Sequence, residues 1–232
     1  LLGTDQQVHE LGQEYPDLFW TPRITFGGLL DVPDENGETQ AQGPVFALGI
    51  DFLSPGSRQI EIWKLERRLI DGRLPENANE ALLSTRLAGR LGLSSGEIVT
   101  LIGSTMYNAF TTYNFTVVGI FKLNLGPVDR QMMLVDITGA RLALDMENAA
   151  SEILGYTNSL YYDDTAAVAL RGQFNKIYSD STDIFSPVMM ALRDVNQMGT
   201  MVDYMSAASG LIVGVFLVIS MIVLWNMGLM NG

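Results

Sequence analysis

The last 29 residues, Tyr204 to Gly232, carry no formal charge, and within them Leu211 to Trp225 (LIVGVFLVISMIVLW) is interrupted only by Gly214 and Ser220. At about 1.5 Å per helical residue, some 20 apolar residues cross a hydrocarbon core of about 30 Å. The run predicts a transmembrane helix over residues 207–228, with Trp225 placed as an interfacial aromatic. Its length and its lack of charge separate it from a buried core helix. A cleaved signal peptide would lie at the other end of the chain. Gly210 and Gly214 form a G-x-x-x-G pair that lets two helices approach closely and points to a partner helix in the membrane.

Composition agrees. Charged residues make up 17% of the 232 and apolar ones 47%, whereas soluble domains carry about a quarter charged. The net charge of −12 repels polyphosphate backbones, so no nucleic-acid partner is expected. There is no cysteine, and His9 is the single histidine. Disulfide scaffolds, thiol nucleophiles and Cys/His metal sites are thereby excluded, and no cofactor or metal is expected.

Ahead of the span, Ser186-Pro187 reads as an N-cap followed by proline at the first helical position. No further proline follows, which predicts a stalk helix over 186–206 continuous with the span. Met189, Met190, Met198, Met201 and Met205 then form a packing stripe, and Gly199 is its weak point. Residues 1–185 read as a soluble α+β domain without internal repeats. Arg23–Val32 and Thr39–Ile50 form a hairpin around Asn36-Gly37. Further strands are predicted at Ala81–Ser84, Glu97–Gly103, Asn114–Phe121, Met132–Val135 and Glu152–Tyr156. Helices are predicted at Thr85–Leu91, capped by Gly92, at Gly139–Asp145, and at Thr165–Asn175 behind Asp163 or Asp164 as N-cap. Leu1-Leu2-Gly3 reads either as the last turn of an earlier span or as a plain lead-in.

Catalytic patterns fail on context. Gly92-Leu93-Ser94-Ser95-Gly96 satisfies G-x-S-x-G, but here a helix precedes the serine and a strand comes after it, the reverse of a nucleophile elbow. Asp31, Asp34, Asn36 and Glu38 do not match a calcium loop and read as a solvated turn. Asp163-Asp164 has no identifiable sugar cleft beside it. Asn114-Phe115-Thr116 fits a glycosylation sequon, with Phe115 expected to point inward. No P-loop is present, so energy from ATP must come from another protein. The chain is expected to be non-catalytic. The loop Ser104–Tyr113 instead carries Met106, Tyr107, Phe110 and Tyr113, where a structural turn favours Gly, Asn and Asp. These four are the candidate partner contacts, and the competing expectation is that they fold back onto the domain as a satellite core.

The order of Pro22-Arg23-Ile24, Gly49-Ile50-Asp51, Ala81-Leu82-Leu83-Ser84-Thr85-Arg86-Leu87-Ala88, Leu91 to Glu97, Asn114 to Phe121, Asp129 to Asp136 and Ala140 to Leu144 resembles the extracytoplasmic domain of MacB-like and lipoprotein-releasing ABC transporter permeases. The resemblance runs to Asn231-Gly232, which looks like the turn after the second transmembrane helix. It implies a two-lobed mixed α/β domain in the periplasm, over residues 1–185, held to the bacterial inner membrane by the stalk and span. It also implies a cytoplasmic ABC ATPase, a second permease subunit (a homo- or heterodimer), membrane lipid, and a lipoprotein or other amphipathic cargo, with a periplasmic carrier as a further partner. The loop Ser104–Tyr113 is shorter than the family's carrier-recruiting hook. A clear first span, the coupling helix and the last two spans are missing, so the resemblance implies a piece of a longer permease. The competing expectation is a single-span, membrane-anchored binding or scaffolding module that needs no ATPase.

Overall fold

In the structure, a computed structural model, residues 1–123, 126, 128–158, 160–183 and 186–230 are described, with backbone alone at 196–198, 201–202, 206 and 225–230. The chain divides into two compact units, Leu1–Leu160 and Tyr161–Gly232.

The first unit runs α1 (Thr4–Glu14), β1 (Leu18–Pro33), β2 (Thr39–Ile50), α2 (Gln59–Trp63), α3 (Leu65–Arg68), β3 (Leu69–Gly72), β4 (Glu80–Ser84), α4 (Thr85–Leu91), β5 (Ile98–Ser104), β6 (Phe110–Phe121), β7 (Met132–Asp136), α5 (Ile137–Leu144) and β8 (Glu152–Thr157). Six of the strands pair in a closed ring: β1 with β2, β2 with β7, β7 with β4, β4 with β6, β6 with β5, and β5 with β1. Closure leaves none of these six as a bare edge. β3 adds to β6, and β8 pairs with the first six residues of β1, Leu18–Arg23.

Ring closure reveals a repeat that the residues conceal. An antiparallel hairpin followed by a strand and a helix occurs twice, as β1-β2-β4-α4 and as β5-β6-β7-α5. The second strand of each hairpin runs parallel to the third strand of the other half, β2 with β7 and β6 with β4. The two third strands meet antiparallel at Leu82 and Leu134, and the two first strands at Leu30 and Leu101. The equivalence lies in the pairing and not in repeated residues, so the sequence itself carries no internal repeat.

Strand alternation divides the core in two. Ile24, Leu30, Val45, Ala47, Leu83, Val99, Leu101, Phe115, Val117, Met133 and Val135 face inward on the six strands and pack with Leu87 and Leu91 of α4 and Ile137 and Ala140 of α5. The alternate residues Leu48, Ile50, Leu82, Val118, Phe121, Met132 and Leu134 form an outer layer with Leu65 of α3. Burying each Leu or Phe contributes about 1.5–3 kcal/mol.

The helices start where strand ends supply caps. Ser84 accepts the Leu87 amide at the head of α4, and Asp136 accepts the Thr138 amide at 2.8 Å at the head of α5. The other carboxylate oxygen of Asp136 accepts the Phe52 amide at 3.0 Å, pinning the chain leaving β2. Gly92 ends α4 in the left-handed region, φ 70°, as expected. The lead-in is tied down: Leu2 bridges Ala149, and Arg141 donates to Thr4 Oγ1 at 2.9 Å and to Asp5 at 2.8 Å.

The second unit holds α6 (Asp164–Tyr178), a 3₁₀ turn over Leu192–Gln197, and α7 (Met198–Met230). The boundary expected at residue 185 lies at Leu160/Tyr161, because α6 is tied to the strap C-terminal to it. Asn175 accepts the Met189 amide at 2.8 Å and donates to its carbonyl at 3.0 Å. The stalk helix expected over 186–206 also requires correction. Residues 187–191 are not helical, a 3₁₀ turn comes next, and the α-helix begins only at Met198. The Asn175 and Asp194 side chains hold Met189 and Ala191 in this form, which outweighs the local N-cap signal of Ser186-Pro187. Met198 and Met201 have side chains outside the described residues, so the stripe is represented by half-buried Met189 and exposed Met190 and Met205.

Candidate partner-binding surface and membrane helix

The Ser104–Tyr113 segment is a tight turn on the β5-β6 hairpin. Ser104 and Phe110 form the last pair, and Thr105–Ala109 reverse the chain. The Thr105 amide donates to the Ala109 carbonyl at 2.8 Å, the Asn108 amide donates to the Thr105 carbonyl at 3.0 Å, and Thr105 Oγ1 accepts the amides of Tyr107 and Ala109. Asn108 takes the left-handed conformation, φ 61°, that asparagine tolerates. The turn is anchored to the end of α5, where the Met106 amide donates to the Leu144 carbonyl and Thr111 Oγ1 donates to Ala143, both at 2.9 Å.

With its backbone satisfied locally, the turn projects three apolar side chains: Met106 is 37% exposed, Tyr107 69% and Phe110 75%. Tyr113 does not belong with them. It lies on β6 with Phe115, their rings 4.8 Å apart, and packs against the core. The strand's alternation sends Phe110 outward and residues 111, 113 and 115 inward, a periodicity hidden when the segment is read as a loop.

Beside this turn β1 and β5 separate. They pair over Leu29–Asp31 and Thr100–Ile102, and beyond that Thr25–Gly28 and Gly103–Met106 line a shallow groove of about 510 Å³ floored by Leu144 and Met146. A Cβ at Gly28 would stand 2.6 Å from the Ile102 carbonyl oxygen, so glycine is what allows the strands to close up to the mouth of the groove.

Other predicted residues serve local structure. Ser94 lies in the turn between α4 and β5, its amide donating to Glu97, while the Ser95 hydroxyl donates to the Val118 carbonyl at 2.9 Å. Asp34 accepts the Glu38 amide and, less strongly in effect, the Asn36 amide at 2.8 Å each, which holds its carboxyl below the usual range, and Asp31 accepts Thr39 Oγ1 at 2.7 Å. Asn114 accepts from Thr100 Oγ1 at 2.9 Å, with Phe115 buried behind it. His9 sits exposed on α1 against Gln13. Asp163 caps α6, and Asp164 pairs with Arg193. Among the described residues no group of three His, Asp or Glu could hold a metal ion.

Within the second unit, Asp203–Leu224 of α7 is long and apolar enough to cross a membrane, and among its described residues none is buried in the protein. Gly210 and Gly214 lie four residues apart on one exposed face, with open space where side chains would stand. The Trp225 side chain is outside the described residues, and so is Asn231-Gly232. At the head of α7, Arg193 donates to Asp164 at 2.8 Å and with its other nitrogen to both oxygens of Asp203, at 2.9 and 3.1 Å. Arg171 donates to Asp194 at 2.6 Å, holding that carboxyl below the usual range.

No family model matches the chain, and no curated protein does. Solved structures do. The periplasmic region of MacB from Actinobacillus actinomycetemcomitans aligns with 75% of this chain and 73% of its own at 12% identity and a TM-score of 0.48. The extracellular domain of the noncanonic ABC-type transporter YknZ from Gram-positive bacteria aligns with 75% of this chain and 82% of its own at 14% identity and a TM-score of 0.51. The chain shares the mixed α/β fold of that extracellular domain, and among its described residues one C-terminal helix is long and apolar enough to span a membrane.

Proposed function

We propose that the chain is the extracytoplasmic domain and adjoining membrane helix of an ABC-type transporter permease. The observation that carries this reading is the fold of a transporter's extracellular domain on the same chain as a charge-free helix long enough to span a bilayer. The first unit stands outside the cytoplasm, in the periplasm of a bacterial cell, and α7 enters the inner membrane. A second permease subunit packs on the Gly210/Gly214 face of α7, and a cytoplasmic ATPase supplies the energy. The chain itself performs no chemistry; it passes helix movement to the outer domain. Its cargo class is lipoproteins or other amphipathic molecules, and Met106, Tyr107 and Phe110 with their groove form the contact for cargo or a carrier.

The test is purification of the protein at its full length from source membranes in detergent, followed by reconstitution. The reading expects an ATP-hydrolysing subunit in fixed stoichiometry, with hydrolysis altered by lipoprotein cargo. A chain recovered without any ATPase would favour the single-span binding module instead.

A further inference from the structure

Between α6 and the 3₁₀ turn the backbone makes an irregular strap, Pro187–Ala191, and from Val188 to Leu192, the first residue of that turn, side chains alternate in exposure. Val188, Met190 and Leu192 point out, while Met189 is half-buried and Ala191 buried. The strap is held rigidly in this register. Asn175 of α6 bonds both peptide groups of Met189, and Asp194 accepts the Ala191 amide at 2.8 Å while its own amide donates to the Ala191 carbonyl at 2.9 Å. Val195 continues the exposed apolar row, and Tyr204 and Met205 resume it on the first turns of α7.

Three charges lie between Ser186 and Met205, namely Arg193, Asp194 and Asp203, and each is ion-paired. The strap therefore presents apolar side chains and compensated charges within about three turns of the point where the charge-free helix begins. A fixed apolar row costs free energy in water, at about 25 cal/mol per Å². A non-helical backbone cannot enter hydrocarbon, because its peptide groups need water or protein partners. The level that suits both is the interfacial layer, where tyrosines also concentrate.

We infer that Val188, Met190 and Leu192 form a lipid-contacting foot that rests in the interface of the outer leaflet and sets the height and tilt at which α7 enters the bilayer. The foot rests on the reading of α7 as a span and deepens it. Through Asn175 and the Arg193 pairs, displacement of α7 would be delivered to α6 from a fixed lipid-bound base.

These 232 residues contain no cysteine, so single-cysteine variants of them can be spin-labelled without background. The full chain is reconstituted in phosphatidylcholine vesicles with labels at Met190→Cys, Leu192→Cys, Gln173→Cys on the exposed side of α6, and Val215→Cys inside α7. Collision with oxygen is compared with collision with a water-soluble nickel chelate. The foot predicts that the oxygen-to-nickel ratio at positions 190 and 192 exceeds that at 173 several-fold and stays below that at 215. Aqueous values at 190 and 192 with a lipid value at 215 would overturn the foot and leave the span intact. An aqueous value at 215 would overturn both. Spin–spin broadening at 190, relieved by dilution with unlabelled chain, would show a second copy covering the row and would also overturn the foot.

Discussion

Gly199 lies buried against the backbone of Arg193: a Cβ at position 199 would stand 2.9 Å from the Arg193 carbonyl oxygen and 3.1 Å from its Nε. This contact seats the first turn of α7 on the preceding 3₁₀ turn and leaves the Arg193 guanidinium free to reach Asp164 and Asp203.

From helix propensity alone, Gly199→Ala would stabilise α7 by up to about 1 kcal/mol. Overpacking at a filled site costs about 1–3 kcal/mol, and here the neighbour is backbone and cannot swing aside. The expected net effect is destabilisation by about 1 kcal/mol, read as a lowered thermal midpoint in detergent. Gly172→Ala is the control with the opposite sign. It sits inside α6 with open space around it, so it should stabilise by about 1 kcal/mol.

Glu80 offers a pH prediction in the first unit. Its carboxylate accepts two bonds of 2.7 Å from Arg73, the Glu76 amide at 2.7 Å and the Asn77 side chain at 2.9 Å, and the Arg73 guanidinium beside it brings its pKa down from 4.5 to about 2. A folded-state value below the unfolded one stabilises the fold above pH about 4.5, and that contribution is lost as pH falls toward about 2. The full shift corresponds to about 3 kcal/mol, and solvent around the half-exposed Arg73 reduces this to about 2 kcal/mol. Glu80→Gln should therefore lower stability at neutral pH by about 2 kcal/mol and flatten the stability profile between pH 5 and 2, as measured by denaturant unfolding at several pH values.

Legibility in the sequence differs from element to element. The bounds of α4 come from Leu87, Ala88 and Leu91 at helical spacing and Gly92 behind them, and the β1-β2 hairpin from Asn36-Gly37. α1 has no such signal, because Thr4–Glu14 is mostly polar and Gly3 gives it no capping side chain; its position comes from Asn148 and Arg141, far along the chain. The Met106, Tyr107 and Phe110 surface is visible as aromatics in a turn, whereas Tyr113 requires the pleat of β6. The strap reads as helix because Asn175, which bonds Met189 from fourteen residues away, acts on it through space, while the local Asp194–Ala191 bonds are masked by the stronger N-cap signal of Ser186-Pro187.

The hairpin surface separates contact from packing. Tyr107→Ala with Phe110→Ala should leave the thermal midpoint nearly unchanged, within about 0.5 kcal/mol, because both side chains stand in water. Tyr113→Ala, which opens the core beside Phe115, should cost about 2–4 kcal/mol. Loss of cargo or carrier capture in the double variant at unchanged stability is the expected result, and a large drop in its midpoint would contradict the assignment.

On the proposed function, the first unit stands outside the cytoplasm and α7 crosses the membrane. A single cysteine at Asn36, in the exposed β1-β2 turn of a chain that has none of its own, allows both halves to be read in one sample. Spheroplasts are treated with a membrane-impermeant maleimide and their membranes then extracted with carbonate, beside the same chain carrying Val215→Arg, which places a charge near the bilayer centre at a cost of about 2.5–3.5 kcal/mol. The parent chain is expected to be labelled and to stay in the membrane pellet, and the arginine variant to be released or depleted from it. A chain that is protected from the reagent, or that the arginine leaves equally resistant to extraction, would contradict the proposed function.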